Sequence, residues 1–165
     1  MRAIRQEDLE ELLDSFNATD RRIALERLNA GHRGRFAAPG GNLNMHCHSF
    51  FSFNADDWSP SHIAWEARRR GLYAAGLCDF DVLDGLEEFL AAGLTLGLRV
   101  TVHLETRAYL KEYAGVEINS PGEPGVAYVM GAGFARPPAA GTPQARGLAA
   151  YRDSARARNE ALVRR

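Results

Sequence analysis

Residues 43–48, LNMHCH, form the first of three short strand candidates that decide the fold of this chain. The other two candidates are Leu72–Cys78 and Leu98–Leu104, and a helical stretch precedes each of them. The first of these helices is predicted to start at Ser59-Pro60, a capping serine followed by proline at the first helical position, and the second spans Asp81–Leu96. This alternation of strand and helix indicates parallel β/α units.

Polar side chains capable of binding a cation or a proton lie at the ends of all three strand candidates. In β/α barrels and open parallel sheets, the carboxyl ends of the strands face one mouth. We therefore expect side chains that are distant in sequence to converge there. The polar pairs are His46 and His48, Asp79 and Asp81, and His103 and Glu105.

The remaining segments suggest a core region with helical extensions. Residues 1–41 are predicted to form a helical segment and a connector, residues 42–135 the β/α region, and residues 136–165 a proline-containing loop and an arginine-rich helix. The last helix stops at Arg165 without a capping signal, so we expect the barrel to be interrupted. The smaller elements predicted are helices at Gln6–Phe16 and from an N-cap at Thr19 to Gly31, strands at Tyr113–Asn119 and Gly125–Met130, and a helix at Gln144–Arg165.

Bulk composition gives no electrostatic case for a nucleic acid or a membrane as partner. Apolar residues make up 45% of the chain, charged residues 25%, and the net charge is -1. No apolar run approaches the roughly 20 residues of a membrane-spanning helix, and the N-terminus is charged where a signal peptide is apolar, which favours a cytoplasmic protein. The arginine-rich C-terminal helix is more typical of a solvated face than of a nucleic-acid site, because Tyr151 is its only aromatic residue. Cys47 and Cys78 have no CxxC partner and are predicted to be reduced core thiols.

His46 and His48 form a candidate metal-binding pair. Because side chains alternate along a strand, both imidazoles project from the same face and can hold one cation. The alternative is a pair of histidines at a solvated strand end.

The sequence around this pair resembles the PHP (polymerase and histidinol phosphatase) domain family over roughly residues 43–134. The resemblance implies an α/β fold, a distorted TIM-like β/α barrel of which this chain holds the first half after two N-terminal helices. It also implies up to three metal ions, typically zinc, manganese or iron, and hydrolysis of a small phosphate ester. The residues that carry it are Asn44-Met45-His46-Cys47-His48-Ser49, Ser59-Pro60, Gly71-Leu72, Gly76-Leu77-Cys78-Asp79-Phe80-Asp81 and Gly85.

The family motifs assign roles to three side chains of this sequence. The motif H-x-H-[ST] matches fully at His46 and His48, which implies that both are metal ligands. A family glutamate that bridges two metals at a strand end corresponds to Glu105. With these three ligands, a hydrolytic zinc keeps an open position for water.

Departures from the motifs predict an incomplete metal cluster. The family's T-D-H-D motif has Phe80 in place of its liganding histidine, and a later family histidine is absent around Tyr128-Val129-Met130. The final D-x-H motif has no counterpart, because no histidine follows His103. The alternative to a phosphoesterase is therefore a degenerate or truncated module that binds or scaffolds without catalysis.

Four further side chains are candidates with structural alternatives. Asp79 or Asp81 is predicted to assist catalysis as a general base or by orienting a histidine, and the alternative is a helix N-cap. Arg107 is predicted to steady phosphate oxygens, and the alternative is an ion pair with a glutamate, Glu105 or Glu117. His103 is either a fourth ligand or a core histidine.

Overall fold

The computed structural model of the chain describes residues 5–53, 55 and 57–164, without the side chains of 158, 159, 162 and 163. In chain order the elements are α1 (Gln6–Leu12), α2 (Ala18–Gly31), β1 (Leu43–Cys47), α3 (Pro60–Arg69), β2 (Ala74–Phe80), α4 (Leu86–Leu96), β3 (Arg99–Tyr109), a one-turn 3-10 helix (Lys111–Tyr113), β4 (Val126–Ala132) and α5 (Pro143–Val163). No helix within this described part is long and apolar enough to cross a membrane.

The four strands form one sheet in the order β1-β2-β3-β4. The first three are parallel, as predicted, because a helix returns the chain between them. β4 is antiparallel to β3 and is reached through the connection at residues 110–125. The sheet curls as part of a barrel would, which agrees with the expected α/β class.

The two faces of the sheet have different chemistry. Leu77 of β2 and Val102 of β3 project toward the helices and pack in one apolar core with Trp65 of α3 and Phe89 of α4. Side chains alternate across a strand, so the intervening residues project from the opposite, inner face. That inner face carries the polar side chains of His103, Glu105 and Arg107 of β3.

The predicted start of α3 is confirmed, whereas that of α4 is wrong. Ser59 caps α3 by accepting a hydrogen bond from the His62 amide, with Pro60 at the first helical position. α4 begins at Leu86 instead of Asp81. Asp81 has a positive φ of 60°, a left-handed backbone that a helix cannot contain, and the chain turns there before the helix begins.

The N-terminal predictions placed two boundaries incorrectly. α1 ends at Leu12, and Phe16, which the apolar spacing assigned to this helix, is 97% exposed. Leu13 is fully buried instead. Asn17, not Thr19, caps α2, because the Asn17 side chain accepts a hydrogen bond from the Thr19 amide.

An ion pair joins α2 to α4. The Arg21 side chain is 4% exposed, and its guanidinium donates to both carboxylate oxygens of Glu88 and to the Ser15 carbonyl oxygen. Glu88 also accepts from the backbone and hydroxyl of Ser61 near the start of α3. These contacts hold the N-terminal helices against the β/α region.

The predicted strand at Tyr113–Asn119 does not exist. This segment contains the end of the 3-10 helix followed by turns. Instead of a neighbouring strand, the Asn119 side chain forms hydrogen bonds with the backbone of Tyr128. One of these bonds runs from the Tyr128 amide to the Asn119 side-chain oxygen (2.8 Å), and the other from the Asn119 amide group to the Tyr128 carbonyl oxygen (3.0 Å). A side chain therefore caps part of the outer edge of β4.

Candidate metal centre

A bulge in β1 determines which way its histidines project. Asn44 pairs with Ala75 and Cys47 with Leu77, so Met45 and His46 together lie opposite the single residue Gly76. The extra residue shifts the alternation of β1 by one. Cys47 consequently faces the helices with Leu77, and the histidines on either side of it face inward.

Gly76 makes this bulge possible. A Cβ placed on Gly76 would lie 2.5 Å from the carbonyl oxygen of Met45 and 2.8 Å from its Cα. Only glycine allows the two backbones to approach this closely. The glycine is therefore a structural requirement of the histidine geometry.

Three side chains converge on the inner face. His46 Nε2 lies 3.1 Å from Glu105 Oε2, and His48 Nε2 lies 3.7 Å from the same oxygen. One ligand atom from each residue lies within 4.8 Å of the other two. Among the described residues, this is the group of histidine, cysteine and carboxylate side chains arranged closely enough to hold a metal ion.

The local environment favours the neutral form of the His48 imidazole. Burial lowers the pKa of His48, and the neighbouring His46 lowers it further, whereas Glu105 and the backbone of Cys78 oppose the shift. His48 Nδ1 is buried without a hydrogen-bond partner. Since only an unprotonated ring nitrogen can bind a cation, this environment suits a ligand.

The donor set fits a divalent cation. Two imidazole nitrogens and a carboxylate are ligands that zinc, manganese and iron accept in proteins. Glu105 is buried and His46 is 44% exposed on its side chain, so the group is reachable from solvent on one side. Within the described part of the chain, three residues supply ligand atoms, one fewer than a four-coordinate ion accepts.

Aromatic rings line the other side of the group. The Phe80 ring stacks on the His48 ring at 5.7 Å between centroids, and it contacts Phe53 at 5.0 Å and Tyr128 at 5.7 Å. We call Phe53, Phe80 and Tyr128 the aromatic wall. Phe80 is the position where the second sequence motif lacks its histidine, and Tyr128 lies in the stretch Tyr128-Val129-Met130 where a later histidine is absent.

The two aspartates predicted to assist catalysis lie apart from the three converging side chains. Asp79 is buried on the helix-facing side, where its oxygens accept hydrogen bonds from the Ser49 amide (2.6 Å) and hydroxyl (2.7 Å). Burial raises the pKa of Asp79 to about 6, against the lowering effect of these bonds. Asp81 accepts from the Thr106 hydroxyl at 2.6 Å. Neither carboxylate belongs to the group that could share one ion.

Arg107 projects from the same face as Glu105, two residues further along β3. Its guanidinium pairs with Glu123 of the loop before β4, rather than with Glu105 or Glu117. The Arg107 Nε is buried without a hydrogen-bond partner, and the Cζ atom of its guanidinium lies 5.8 Å from the centre of the Tyr128 ring. The sequence contained no signal for Glu123 beyond its position in the turn that begins at Ser120.

His103 lies two residues before Glu105 on the inner face. Its Nε2 is buried without a partner, and burial, then His46, lowers its pKa. His103 is outside the group of atoms within 4.8 Å, so the structure brings together three of the predicted ligand candidates and leaves this fourth one apart.

No known family model matches this chain, and no curated protein does. A solved structure that matches is a Bifidobacterium adolescentis protein provisionally named a metal-dependent phosphoesterase, with 22% identity and a TM-score of 0.42. The match covers 57% of this chain and 28% of that one, so the chain spans under a third of its length. A likeness this low supports no statement about the activity of this protein.

Proposed function

We propose that this protein is a metal-dependent hydrolase of the PHP type that acts on a small phosphate ester. His46, His48 and Glu105 are the ligands of its cation. The observation that carries this proposal is the convergence of their three ligand atoms within 4.8 Å on the inner face of the sheet.

The resemblance of the sequence supports the same ligands independently of the geometry. His46 and His48 belong to the motif H-x-H-[ST], and Glu105 occupies the position of the family's strand glutamate. In the sequence, Glu105 lies almost sixty residues after the histidines. The fold, and not their position in the sequence, therefore brings them together.

A divalent cation bound by these ligands supplies Lewis-acid chemistry, polarising a phosphoryl oxygen and lowering the pKa of water. The protein orients the substrate. Arg107 is held by Glu123 and its side chain is 30% exposed, so guanidinium N–H groups on its accessible side can donate to a phosphate oxygen. Asp79 holds Ser49, the residue after His48, and so fixes the loop that leaves β1. Direct assistance by Asp79 or Asp81 stays a prediction.

Metal analysis tests the ligand assignment. The protein is purified, loaded with Zn²⁺ or Mn²⁺ and desalted, and its metal content is measured by plasma mass spectrometry. We expect stoichiometric metal in the wild type and the loss of most of that metal in the His46→Ala and Glu105→Gln proteins. His32→Ala is the matched control, because this histidine packs on Trp65 and Phe36 away from the site. Wild-type protein without bound metal would refute the assignment.

Hydrolysis of p-nitrophenyl phosphate and bis(p-nitrophenyl) phosphate tests the activity. The expected rate depends on added metal and disappears in the His46→Ala protein. The second candidate, a binding or scaffolding module without catalysis, is favoured by the apolar replacement of a family ligand at Phe80. Stoichiometric metal with no hydrolysis of either ester would support that module.

A further inference from the structure

We propose that the centre holds one cation and that apolar neighbours of Glu105 exclude a second. This inference rests on the proposed function, because it takes His46, His48 and Glu105 as ligands. It goes further by stating the metal stoichiometry and by assigning that stoichiometry to Phe80 and Met130.

The register of the sheet identifies the neighbours of Glu105. Phe80 of β2 and Met130 of β4 are its two register partners, so their side chains flank it on the inner face. A carboxylate that bridges two metals needs nitrogen or oxygen ligands on both sides of it. Around Glu105 the histidines of β1 supply ligands for one cation, and the flanking positions supply a benzene ring and a thioether.

Along β3, the inner face offers a second cation few ligands. Before Glu105, His103 adds one imidazole nitrogen, which together with Glu105 falls short of about three protein ligands. Arg107 is the next inner-face residue after Glu105, roughly 7 Å further along the strand. Its guanidinium is paired with Glu123, so that carboxylate is already engaged by a cation. A second divalent ion on this side of Glu105 would have to break that ion pair to gain the Glu123 carboxylate as a ligand.

The aromatic wall also fills the space that a second ion would need. Phe80 is buried and is held between the rings of His48 and Tyr128. Moving this ring aside would break both ring contacts. The first cation does not require such a movement, because its three ligand atoms already converge.

Isothermal titration calorimetry and plasma mass spectrometry with Zn²⁺ and Mn²⁺ measure the number of ions bound per chain. We expect one ion per wild-type chain and two per chain in the Phe80→His protein, whose new imidazole lies beside Glu105 and His48. Phe53→His is the matched control, because Phe53 contacts Phe80 but is not a register partner of Glu105; it should keep one ion. Met130→His is the second variant, since residue 130 is 58% exposed and tolerates a polar side chain.

The outcomes separate this inference from the proposed function. No bound ion in the wild type would refute the ligand assignment itself. Two or more ions per wild-type chain, lost on His46→Ala substitution, would overturn the single-cation inference and leave the ligand assignment standing. One ion in both folded histidine variants would also overturn it, because Phe80 and Met130 would then not limit the stoichiometry.

Discussion

Substitution of Gly76 by alanine should impair the candidate metal centre, although Gly76 is not one of the proposed ligands. The added Cβ would lie 2.5 Å from the Met45 carbonyl oxygen and 2.8 Å from its carbonyl carbon. Both are backbone atoms of the β1 bulge, so no side-chain rotation relieves the contact. β1 must move away from β2.

The size of the movement and its cost follow from that contact. Opening it from 2.5 Å to an ordinary van der Waals separation of 3.4 Å requires a shift of about 0.9 Å. Overpacking of this kind costs about 1–3 kcal/mol of folding free energy. The shift also moves His46, which follows Met45, relative to Glu105. Since functional side chains must be held within about 0.5 Å, we expect metal affinity to fall at least about tenfold.

Urea unfolding of metal-free protein and titration calorimetry with Zn²⁺ measure the two effects. Gly115→Ala is the matched control, because a Cβ at Gly115 meets nothing within 4 Å. It should change the unfolding free energy by no more than about 0.5 kcal/mol. If Gly76→Ala binds metal as tightly as Gly115→Ala, then the bulge does not position His46 and the reasoning is refuted.

Three other substitutions test contacts outside the ligand group. The pKa of Asp79 is raised from 3.8 to about 6 in the folded protein, so the protonated carboxyl stabilises the fold below pH 4 and this stabilisation is lost as the pH rises through 6. The unfolding free energy of the wild type should therefore fall by about 3 kcal/mol between pH 4 and 7. Asp79→Asn should remove this pH dependence. Arg21→Met leaves Glu88 partly buried without its cation and should destabilise the protein by about 3 kcal/mol in urea unfolding. Asn119→Ala removes both bonds to Tyr128, should cost about 1 kcal/mol, and should increase association in light scattering because the edge of β4 is uncovered.

Each of these predictions has a contradicting result. A wild type and an Asp79→Asn protein with parallel stability profiles between pH 4 and 6 would show that Asp79 does not titrate there. Arg22→Ala, which removes an exposed pair with Glu26, should cost at most about 0.5 kcal/mol, and an equal loss for Arg21→Met would contradict the role of burial. An Asn119→Ala protein that stays monodisperse would show that the strand edge is protected by other means.

Local patterns in the sequence were sufficient for several features of the fold and the centre. The capping pair Ser59-Pro60 and the three strand candidates depend on neighbouring residues alone, and the structure confirms them. The strand limits were less accurate, since β3 continues to Tyr109, well past the predicted Leu104. That extension depends on pairing with β4, which is a contact between distant residues.

The sequence by itself determined that His46 and His48 share one face of a strand, because side chains alternate with a period of two. Only the tertiary structure decided which face that is, through the bulge opposite Gly76. It also decided that Met130 flanks Glu105, since the register of an antiparallel pair is set by the connection and by packing across the sheet. The candidate ligands His46 and His48 follow from residue type and local spacing, whereas the single ion proposed for the site follows from what the other strands place beside Glu105.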